Sequence, residues 1–401
     1  MRILFLNYEY PPLGGGAGNA TAYLLKEFAK IPGLEVDLVT SAIDKKYQLE
    51  KIGENIRIHR LPIGKNPKNL HFQSQKDLLI YAWKAYFFSR KIIQERKYAL
   101  TLAFFSVPCG FLAWIFKRQF KLPYLIFLRG ADVPGYSERF IYLHKIITPL
   151  IKRIWREAER VVANSQGLKD LARKTNPLQK IDIIPNGIDT RQFRPSVYNF
   201  GSPTSKMEVG LPRSWNTFKI LCVTRITPRK NIRCLIEAFN QLRRKYANLN
   251  LQIIGEGDEK NNLEKLVGEL GIEKEVDFVG LLPHEKLPAY YQSARVYVLP
   301  SLNEGMSNSM LEALASGLPL LATDTGGTKE LIEDGVNGFV LKMKSAEDIA
   351  EKLEILIRDE NLRKKMGAES RKKAEGMGWE SIAKKYISII KRVKGLENFK
   401  F

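Results

Sequence analysis

The sequence predicts an α/β protein with two doubly wound parallel-sheet domains. Short runs rich in Val, Ile and Leu alternate with amphipathic runs of helical period along nearly all 401 residues. Such runs are typical of parallel strands that helices cover on both faces. A segment rich in Pro, Gly, Ser and Asn, 191–217, interrupts this rhythm once. We therefore expect a first domain over 1–195, a linker over 196–216 and a second domain over 217–377.

The expected strands fall into two series, one in each half of the chain. The first series is RILFLN, EVDLVT, YLIFLR, RVVANS and IDIIP, and the second is FKILCVT, LQIIGEG, VDFVG, RVYVLP and LPLLAT. Ligands of open α/β sheets bind beyond the carboxyl ends of the strands, so the ligand site is expected in a cleft between the domains. The last helix, around 379–393, is expected to return, so that 378–401 join the first domain.

One apolar run has the length of a membrane span. Residues 99–116, ALTLAFFSVPCGFLAWIF, are 18 uncharged residues, which meets the threshold for a transmembrane helix. Pro108 and Gly110 lie in the middle of the run. A strand, a turn and a core-facing helix fit the surrounding α/β rhythm better, so we expect a buried segment here.

The charge of the chain is high and uneven. The formal net charge is +21, and residues 1–195 hold 32 Lys+Arg against 16 Asp+Glu. Such a field favours anionic partners: phosphorylated substrates, anionic lipid head groups or nucleic acid. The three cysteines have neither metal-ligand spacing nor an even count, which is typical of buried thiols in a reducing compartment. The first strand is too short for a signal peptide, and we expect a cytoplasmic protein.

The turn after the first strand of the second domain is strongly basic. In FKILCVTRITPRKN, Thr227 and Pro228 have the N-cap and first-turn pattern of a helix. Lys230 would then lie in the first helical turn, where a cation opposes the helix dipole. Together with Arg225 and Arg229, this unfavourable placement predicts an anion site suited to a diphosphate. A solvated basic turn is the alternative.

Two glutamates flank a small polar run in PSLNEGMSNSMLEALASG, where a strand, a loop and a helix closed by Gly317 are expected. Glu304 lies in the loop beside Gly305, where its carboxylate could accept from sugar hydroxyls or stabilise positive charge at a reacting carbon. Glu312 lies in the helix, and Ser309 with Glu312 also fits a capping box. The sequence alone leaves both roles open for Glu312.

Glycines and an Arg-Gly-x-Asp turn mark other strand ends. Gly326 and Gly327 in DTGGTKE predict either a nest of backbone amides for an oxyanion or a plain tight turn. Gly14–Gly16 follow the first strand but do not match the dinucleotide fingerprint. Arg129 and Asp132 follow YLIFLR, and they either face a ligand or form an internal ion pair.

Taken together, these pieces resemble the retaining glycosyltransferases of family 4 (glycosyl transferases group 1), which have the GT-B fold of two Rossmann-like domains. The resemblance covers nearly the whole chain, and its combination of motifs is highly specific. It rests on VVANSQGLKDL, IIPNGIDTRQF, IIGEGDE and TDTGGTKELI, on Gly15-Gly16, on Arg225 through Lys230, and on Glu304 with seven residues before Glu312.

The resemblance implies a role for each end of a nucleotide diphosphate sugar. Arg225 and Lys230 would neutralise the diphosphate, Glu312 would accept from the ribose hydroxyls, and Glu304 would hold sugar hydroxyls near the anomeric carbon. The backbone contacts to sugar and phosphates would come from Gly15, Gly16, Gly305, Met306, Ser307 and Asn308. The first domain would bind the acceptor and the second the donor. The reaction would retain the anomeric configuration and need neither metal nor other cofactor, since cations can stabilise the departing diphosphate.

Two positions depart from the family pattern. Arg129 stands where many members have a histidine that approaches the donor sugar, so an arginine there would read an anionic group of donor or acceptor. Gly305-Met306-Ser307 replaces the familiar Gly-Phe-Gly, which leaves the identity of the sugar open. The candidate catalytic residues are therefore Glu304, Arg225, Lys230 and Arg129.

The acceptor is expected to be a glycan or a lipid-linked molecule of cell-surface polysaccharide or glycoconjugate synthesis. Residues 60–160 hold 19 Lys+Arg and 6 Asp+Glu, and two amphipathic helices are expected within them. They are either core-packing helices with solvated basic faces or a peripheral contact with anionic lipid. The apolar side chains considered for that contact are Trp83, Phe87, Phe88, Ile146, Ile147 and Trp155.

Two other functions compete with sugar transfer. An epimerase or a phosphorylase could use the same architecture, and acceptor-dependent release of nucleoside diphosphate would separate them from a transferase. A basic nucleic-acid-binding protein is the third possibility. Its cations would be interleaved with exposed aromatics in a known module, which this sequence does not show, so we expect no nucleic-acid partner.

Overall fold

The structure is a computed structural model that describes residues 1–65, 70, 73–136, 141–196, 217–393 and 395–396. The chain forms two units, Met1–Gly187 with Trp379–Phe401, and Ile188–Gly378. The first unit thus ends before the expected boundary at 195. Nearly all of the expected linker, and the last residues of the chain, lie outside the described residues.

The first unit is built on an eight-stranded sheet. Its strands are β1 (Arg2–Leu6), β2 (Glu35–Ala42), β3 (Gln48–Ile52), β4 (Ile56–Pro62), β5 (Leu100–Phe104), β6 (Tyr124–Phe127), β7 (Arg160–Ala163) and β8 (Ile181–Ile183). Their order is β3-β4-β2-β1-β5-β6-β7-β8. Among the strand pairs that the structure describes here, β3–β4 alone is antiparallel. The central strands β1, β2, β5 and β6 are almost wholly buried, as their continuous apolar sequences predict.

Five helices among the described residues join these strands. They are α1 (Gly16–Phe28), α2 (Gln75–Glu95), α3 (Phe111–Phe120), α4 (Ile141–Glu157) and α5 (Gln166–Thr175). α2 begins with a capping box, in which Ser74 Oγ accepts from Asp77 N and the Asp77 carboxylate accepts from Ser74 N. The strand, turn and helix expected within 99–116 are confirmed as β5, a turn over Ser106–Gly110 and α3. No described helix combines the length and apolarity that crossing a membrane requires.

The apolar side chains expected at a membrane divide into two groups. Trp83, Phe87 and Ile146 are exposed. Trp155 is fully buried in the first core, so its expected place at a membrane surface was wrong. Its indole Nε1 donates to Ser106 Oγ at 2.8 Å, which satisfies the one polar group that burial of a tryptophan must pair. Phe88 and Ile147 are only partly buried and pack against the same core.

The second unit is a six-stranded parallel sheet. Its strands are β9 (Phe218–Val223), β10 (Leu249–Ile254), β11 (Val276–Gly280), β12 (Val296–Leu299), β13 (Leu320–Thr323) and β14 (Gly338–Leu341). The order β11-β10-β9-β12-β13-β14 reverses direction beside β9. Such a switch point opens a crevice beyond the carboxyl ends of the two central strands, here β9 and β12.

In the described part of the second unit, seven helices cover this sheet. They are α6 (Ile232–Arg243), α7 (Lys260–Leu270), α8 (Leu287–Ser293), α9 (Asn308–Ala315), α10 (Thr328–Leu331), α11 (Ala346–Arg358) and α12 (Glu360–Glu375). The sheet separates two apolar clusters, one of which includes α6, α7 and α11, while the other includes α8 and α9.

The last helix, α13 (Trp379–Lys391), packs within the first unit. Trp379 stacks on Tyr23 of α1 with ring centroids 5.4 Å apart, and Tyr386 stacks on Phe127 of β6 at 4.6 Å. A Cβ on Gly187 would lie 2.5 Å from the Trp379 ring. The glycine of the PNGID motif is therefore required for this close approach.

Candidate active site

The basic turn follows β9 and is braced by the turn after β10. Arg225 is exposed, whereas Ile226 beside it is in the core. The N–H of Ile226 donates to Glu256 O at 3.0 Å. A Cβ on Gly257 would lie 1.9 Å from Ile226 O, so only glycine lets the two turns lie this close. This bracing fixes the point from which the Arg225 side chain leaves the sheet.

Thr227 is the N-cap and Pro228 begins a short helix, as predicted, and Lys230 lies in its single 3-10 turn, Pro228–Lys230. Asn231 has a φ of 52° and α6 begins only at Ile232. This left-handed residue breaks the helical path after Lys230, and a sequence pattern of caps does not reveal such a break.

Lys230 and Glu304 form an ion pair through Nζ and Oε1. Lys230 is 8% exposed, and the Glu304 side chain is 11% exposed. The strands before them, β9 and β12, pair in parallel, and Leu302 N donates to Arg229 O at 2.8 Å between their loops. A nearly buried charge is costly unless it is paired, so each of the two side chains holds the other in place.

The glycine pair after β13 supports the loop that carries Glu304. Gly327 N donates to Gly305 O at 2.5 Å, and a Cβ on Gly326 would lie 1.7 Å from Glu304 O. Met306 lies in the core beneath and is 7% exposed. The Gly327 amide is thus bonded within the protein, and the two glycines are needed because two backbone segments pass in contact.

Ser307, and not Ser309, is the N-cap of α9. Ser307 Oγ accepts from Met310 N at 3.4 Å, whereas Ser309 Oγ accepts from Tyr297 OH at 2.7 Å. The alternative role of Glu312 as part of a capping box was therefore wrong. Glu312 lies in the middle of α9, and the predicted donor-contact residue Asn308 is the first residue of that helix.

Both carboxylate oxygens of Glu312 have protein partners. His284 Nε2 lies 2.9 Å from Oε1, and Tyr291 OH donates to Oε2 at 2.8 Å. Phe193 packs edge-on against the His284 ring at 5.2 Å between centroids, and Gln192 Nε2 lies 3.5 Å from its Nδ1. The hydrogen bond with Glu312 raises the pKa of His284, although burial opposes the rise. Each carboxylate oxygen has two lone-pair directions, so Glu312 keeps acceptor capacity for a ligand.

In the first unit, the predicted glycines lie between β1 and α1. Gly16 is the first residue of α1, and Gly15 N donates to Glu9 Oε2 at 3.1 Å. Gly14 has a φ of +89°, and a Cβ there would lie 2.5 Å from the Glu9 side chain. The turn is therefore closed around a carboxylate.

Arg129 follows β6 and is bonded within the first unit. Its guanidinium donates to Asn186 Oδ1 at 2.9 Å and to Tyr386 OH at 2.8 Å, and lies 3.6 Å from the Phe104 ring centroid. Asp132 accepts from the backbone N–H of Arg129 at 2.9 Å. The suggested internal ion pair of Arg129 with Asp132 was thus wrong. A catalytic role for Arg129 stays a prediction, and its contacts show that it anchors α13.

The structure thus brings the second-unit candidates together around the ends of β9 and β12, while Gly15, Gly16 and Arg129 lie in the first unit. The sequence analysis missed His284 and Tyr291. No local pattern marks either residue, because both meet Glu312 only through the packing of α9. Within the described ranges, no group of three or more His, Cys, Asp or Glu side chains could hold a metal ion. Metal independence itself stays a prediction.

Two family models match most of the chain. Residues 14–192 match Glycosyltransferase Family 4, and residues 210–373 match Glycosyl transferases group 1. An uncharacterized glycosyltransferase of Methanocaldococcus jannaschii is 26% identical over 98% of this chain and 98% of its own.

Solved structures with the same fold are also similar over the whole length. Sucrose-phosphate synthase from Thermosynechococcus elongatus has a TM-score of 0.83 at 22% identity, with 98% of each chain covered. Anabaena HepE in complex with UDP-glucose has a TM-score of 0.72 at 19% identity, with 97% of this chain and 99% of that chain covered. Likeness at this identity shows the fold alone, and it confirms the predicted GT-B fold.

Proposed function

The chain belongs to the family 4 glycosyltransferases (glycosyl transferases group 1), and we propose that it transfers a hexose-type sugar from a nucleotide diphosphate sugar to a glycan or lipid-linked acceptor. Its enzyme class follows from the family. The structural relative HepE binds UDP-glucose with the same fold, which supports a nucleotide sugar as the donor here.

The ion pair of Lys230 and Glu304 at the ends of β9 and β12 is the observation that carries this proposal. The pair places a cation beside a carboxylate. A diphosphate sugar has an anionic part that the cation could bind and a hydroxyl-bearing part that could donate to the carboxylate. A bound diphosphate would take the Lys230 ammonium as its partner, together with exposed Arg225. Glu304 would then be released to accept from sugar hydroxyls beside the anomeric carbon.

Glu312 is proposed to hold the ribose. His284 and Tyr291 fix its carboxylate from the protein side, so that it is oriented before a nucleotide binds. Preorganisation of this kind removes part of the entropic cost of binding. The second lone pair of each oxygen would accept the ribose hydroxyls.

The chemistry proposed here retains the anomeric configuration and uses neither metal nor cofactor. As the bond from the sugar to the diphosphate breaks, negative charge grows on the leaving oxygen. Arg225 and Lys230 would stabilise that charge, as a bound metal ion does in metal-dependent enzymes. Arg129 is proposed to bind an anionic group of the donor or acceptor, and its hydrogen bonds to Asn186 and Tyr386 fix the position of its guanidinium after β6.

The acceptor side of the proposal includes a membrane. Polysaccharide or glycoconjugate synthesis on a lipid carrier would be served by peripheral contact of the first unit with anionic lipid at the cytoplasmic face. The excess of 19 Lys+Arg over 6 Asp+Glu in residues 60–160 supports that contact, as basic residues near an anionic surface each add about 1 kcal/mol.

A panel of UDP-, GDP- and ADP-sugars, screened by ligand-induced thermal shift, tests the donor site, since a bound donor stabilises the fold by mass action. Glu304→Ala is compared with the control Glu269→Ala, a carboxylate on α7 whose side chain is 61% exposed. We expect both variants to bind the donor that wild type selects, and only Glu304→Ala to lose transfer.

Release of nucleoside diphosphate is then measured with and without cell extracts that contain glycan and lipid-linked acceptors. Release that requires an acceptor supports a transferase. Conversion of the donor sugar without an acceptor would instead assign an epimerase, and absence of any nucleotide-sugar binding would overturn the proposal.

A further inference from the structure

α2 has an apolar stripe that faces solvent in addition to the one that faces the core. Leu79, Trp83 and Phe87, spaced four residues apart, are 72%, 63% and 52% exposed. The buried stripe includes Tyr81 and Ala85, which are fully buried, and it lies on the opposite side of the helix. A surface helix normally has one apolar stripe, so a second, exposed one indicates a binding surface.

An apolar groove of about 430 Å³ adjoins this exposed stripe, a volume within the ~300–1,000 Å³ of ligand pockets. We call it the aromatic groove, and the residues that line it are Tyr47, Leu61, Trp83, Lys84, Phe87 and Phe88.

The wall of the aromatic groove opposite α2 is the antiparallel edge of the first sheet. His59 lies directly opposite Leu49 in the β3–β4 pair, and residues that oppose each other share a face. Tyr47 OH is 2.8 Å from His59 Nδ1, and the Phe88 ring lies 4.9 Å from the His59 ring. Leu49, 47% exposed, extends the apolar surface past the groove. The walls are thus held by hydrogen bonds and packing and do not depend on an occupant.

Cations surround the aromatic groove. Lys45 and Lys46 are exposed and immediately precede Tyr47, and Lys84 Nζ donates to Pro62 O at 2.5 Å at the groove itself. The carboxylates of α2 are Asp77 and Glu95, and both are in ion pairs with lysines. Asp44 is also exposed and adjoins the two lysines, and Glu50 of β3 is paired with Arg60. Lys45, Lys46 and Lys84 therefore outnumber the carboxylates without a cationic partner near the groove.

We propose that the aromatic groove seats one acyl chain of an anionic bilayer phospholipid, whose phosphate lies against the lysines at the rim. This inference rests on the membrane contact in the proposed function and names the side chains that make it. A protein partner fits less well, because the cores of protein interfaces are depleted of lysine. Tryptophan and tyrosine beside lysine are the combination typical of the membrane interface.

Vesicle co-sedimentation tests the proposal with the full-length protein. The vesicles contain either phosphatidylcholine alone or an equal mixture of phosphatidylcholine and phosphatidylglycerol. The double variant Trp83→Ser with Phe87→Ser is compared with Leu178→Ser, which removes a leucine that is 93% exposed after α5, near the other edge of the sheet. We expect the double variant to bind mixed vesicles about tenfold or more weaker than wild type, as loss of two interfacial aromatics predicts, and Leu178→Ser to bind as wild type does.

Tryptophan fluorescence shows whether a chain enters the groove. Vesicles whose phosphatidylglycerol has brominated acyl chains should quench the fluorescence of wild type and of the control Trp114→Phe. Trp83→Phe keeps the aromatic surface and should therefore still bind, but most of the quenching should be lost. Equal quenching in Trp83→Phe and wild type would overturn the inference.

The remaining outcomes are also decisive. If the double variant binds mixed vesicles as tightly as wild type does, cations alone hold the protein on the membrane. If the double variant loses self-association and keeps vesicle binding, the groove binds a second copy of the chain. Either result overturns the acyl-chain site. Nucleotide binding measured on the same samples keeps the two proposals separate, because the groove variants should bind nucleotide as wild type does, whereas a wild type that binds none refutes the donor site.

Discussion

Lys230 and Glu304 join the ends of two neighbouring strands through an ion pair that is almost removed from water. They are 74 positions apart, and no local pattern links them. In the absence of a donor, the pair keeps both charges satisfied. With a diphosphate sugar in place, both side chains would exchange this partner for the ligand. The cost of separating the pair would be met by the stronger contacts of a dianionic diphosphate.

Glu304→Ala should lower the rate of transfer by about 10²–10³, the scale for a preorganised group at the reacting centre. Nucleoside diphosphate should still bind, and more tightly than in wild type, because Lys230 no longer has a competing partner. Single-turnover transfer and calorimetry on one preparation check both statements. Turnover above half that of wild type would contradict the role of Glu304.

Lys230→Ala should destabilise the fold, whereas Arg225→Ala should not. Removal of Lys230 leaves the Glu304 carboxylate nearly buried without its cation, which costs about 1–3 kcal/mol. Arg225 is exposed, and such changes stay within about 0.5 kcal/mol. Both variants should lose affinity for nucleoside diphosphate, and lose less for the monophosphate. Denaturant unfolding separates the two cases, and equal stability of both variants would show that the ion pair contributes nothing.

The sequence predicted the elements of the second unit better than the contacts between them. Runs of Val, Ile and Leu located β9 and β12, because parallel strands buried on both faces need continuous apolar sequence. The sequence did not show that the helix carrying Lys230 ends after one turn, because Asn231 is left-handed and asparagine only permits that conformation without requiring it. Ser309 was wrongly predicted as a cap, because the sequence does not show that its hydroxyl accepts a hydrogen bond from Tyr297 of β12.

The first unit shows the same limit on α4. Trp155 and Ile146 both lie on an amphipathic helix with basic residues, yet one is buried and the other is 78% exposed. Helical period identifies two faces, but only the packing of α3 and the turn over Ser106–Gly110 decides which face is covered. The wall of the aromatic groove opposite α2 is formed by Tyr47, just before β3, and by Leu61 of β4, and the predicted strand series included neither of these two strands.

Glu312→Gln should weaken the binding of nucleoside diphosphate by about 1.5–3 kcal/mol, the scale of hydrogen bonds to a charged group. The ribose hydroxyls would lose a charged acceptor, and the amide NH2 would face either His284 or Tyr291. Tyr291→Phe is the matched control, because it removes one donor to Oε2 and leaves the charge. Calorimetry should give a smaller loss for the control, and an equal loss in both variants would mean that only the orientation of the side chain matters.

The stability that His284 provides should depend on pH. The hydrogen bond with Glu312 raises the pKa of His284 in the folded state, above about 6.5 in the unfolded chain. A raised pKa stabilises the fold fully below the unfolded value, and that contribution is lost as pH rises through the folded value. The charged groups that act on the ring are Glu312, Glu285 and Asp189, all carboxylates.

The melting temperature of wild type should therefore exceed that of His284→Gln by more at pH 5.5 than at pH 9. The same comparison in a Glu312→Gln background should lose most of its pH dependence, since the largest cause of the shift is gone. A pH dependence that survives unchanged in that background would show that Glu312 does not hold the proton on His284.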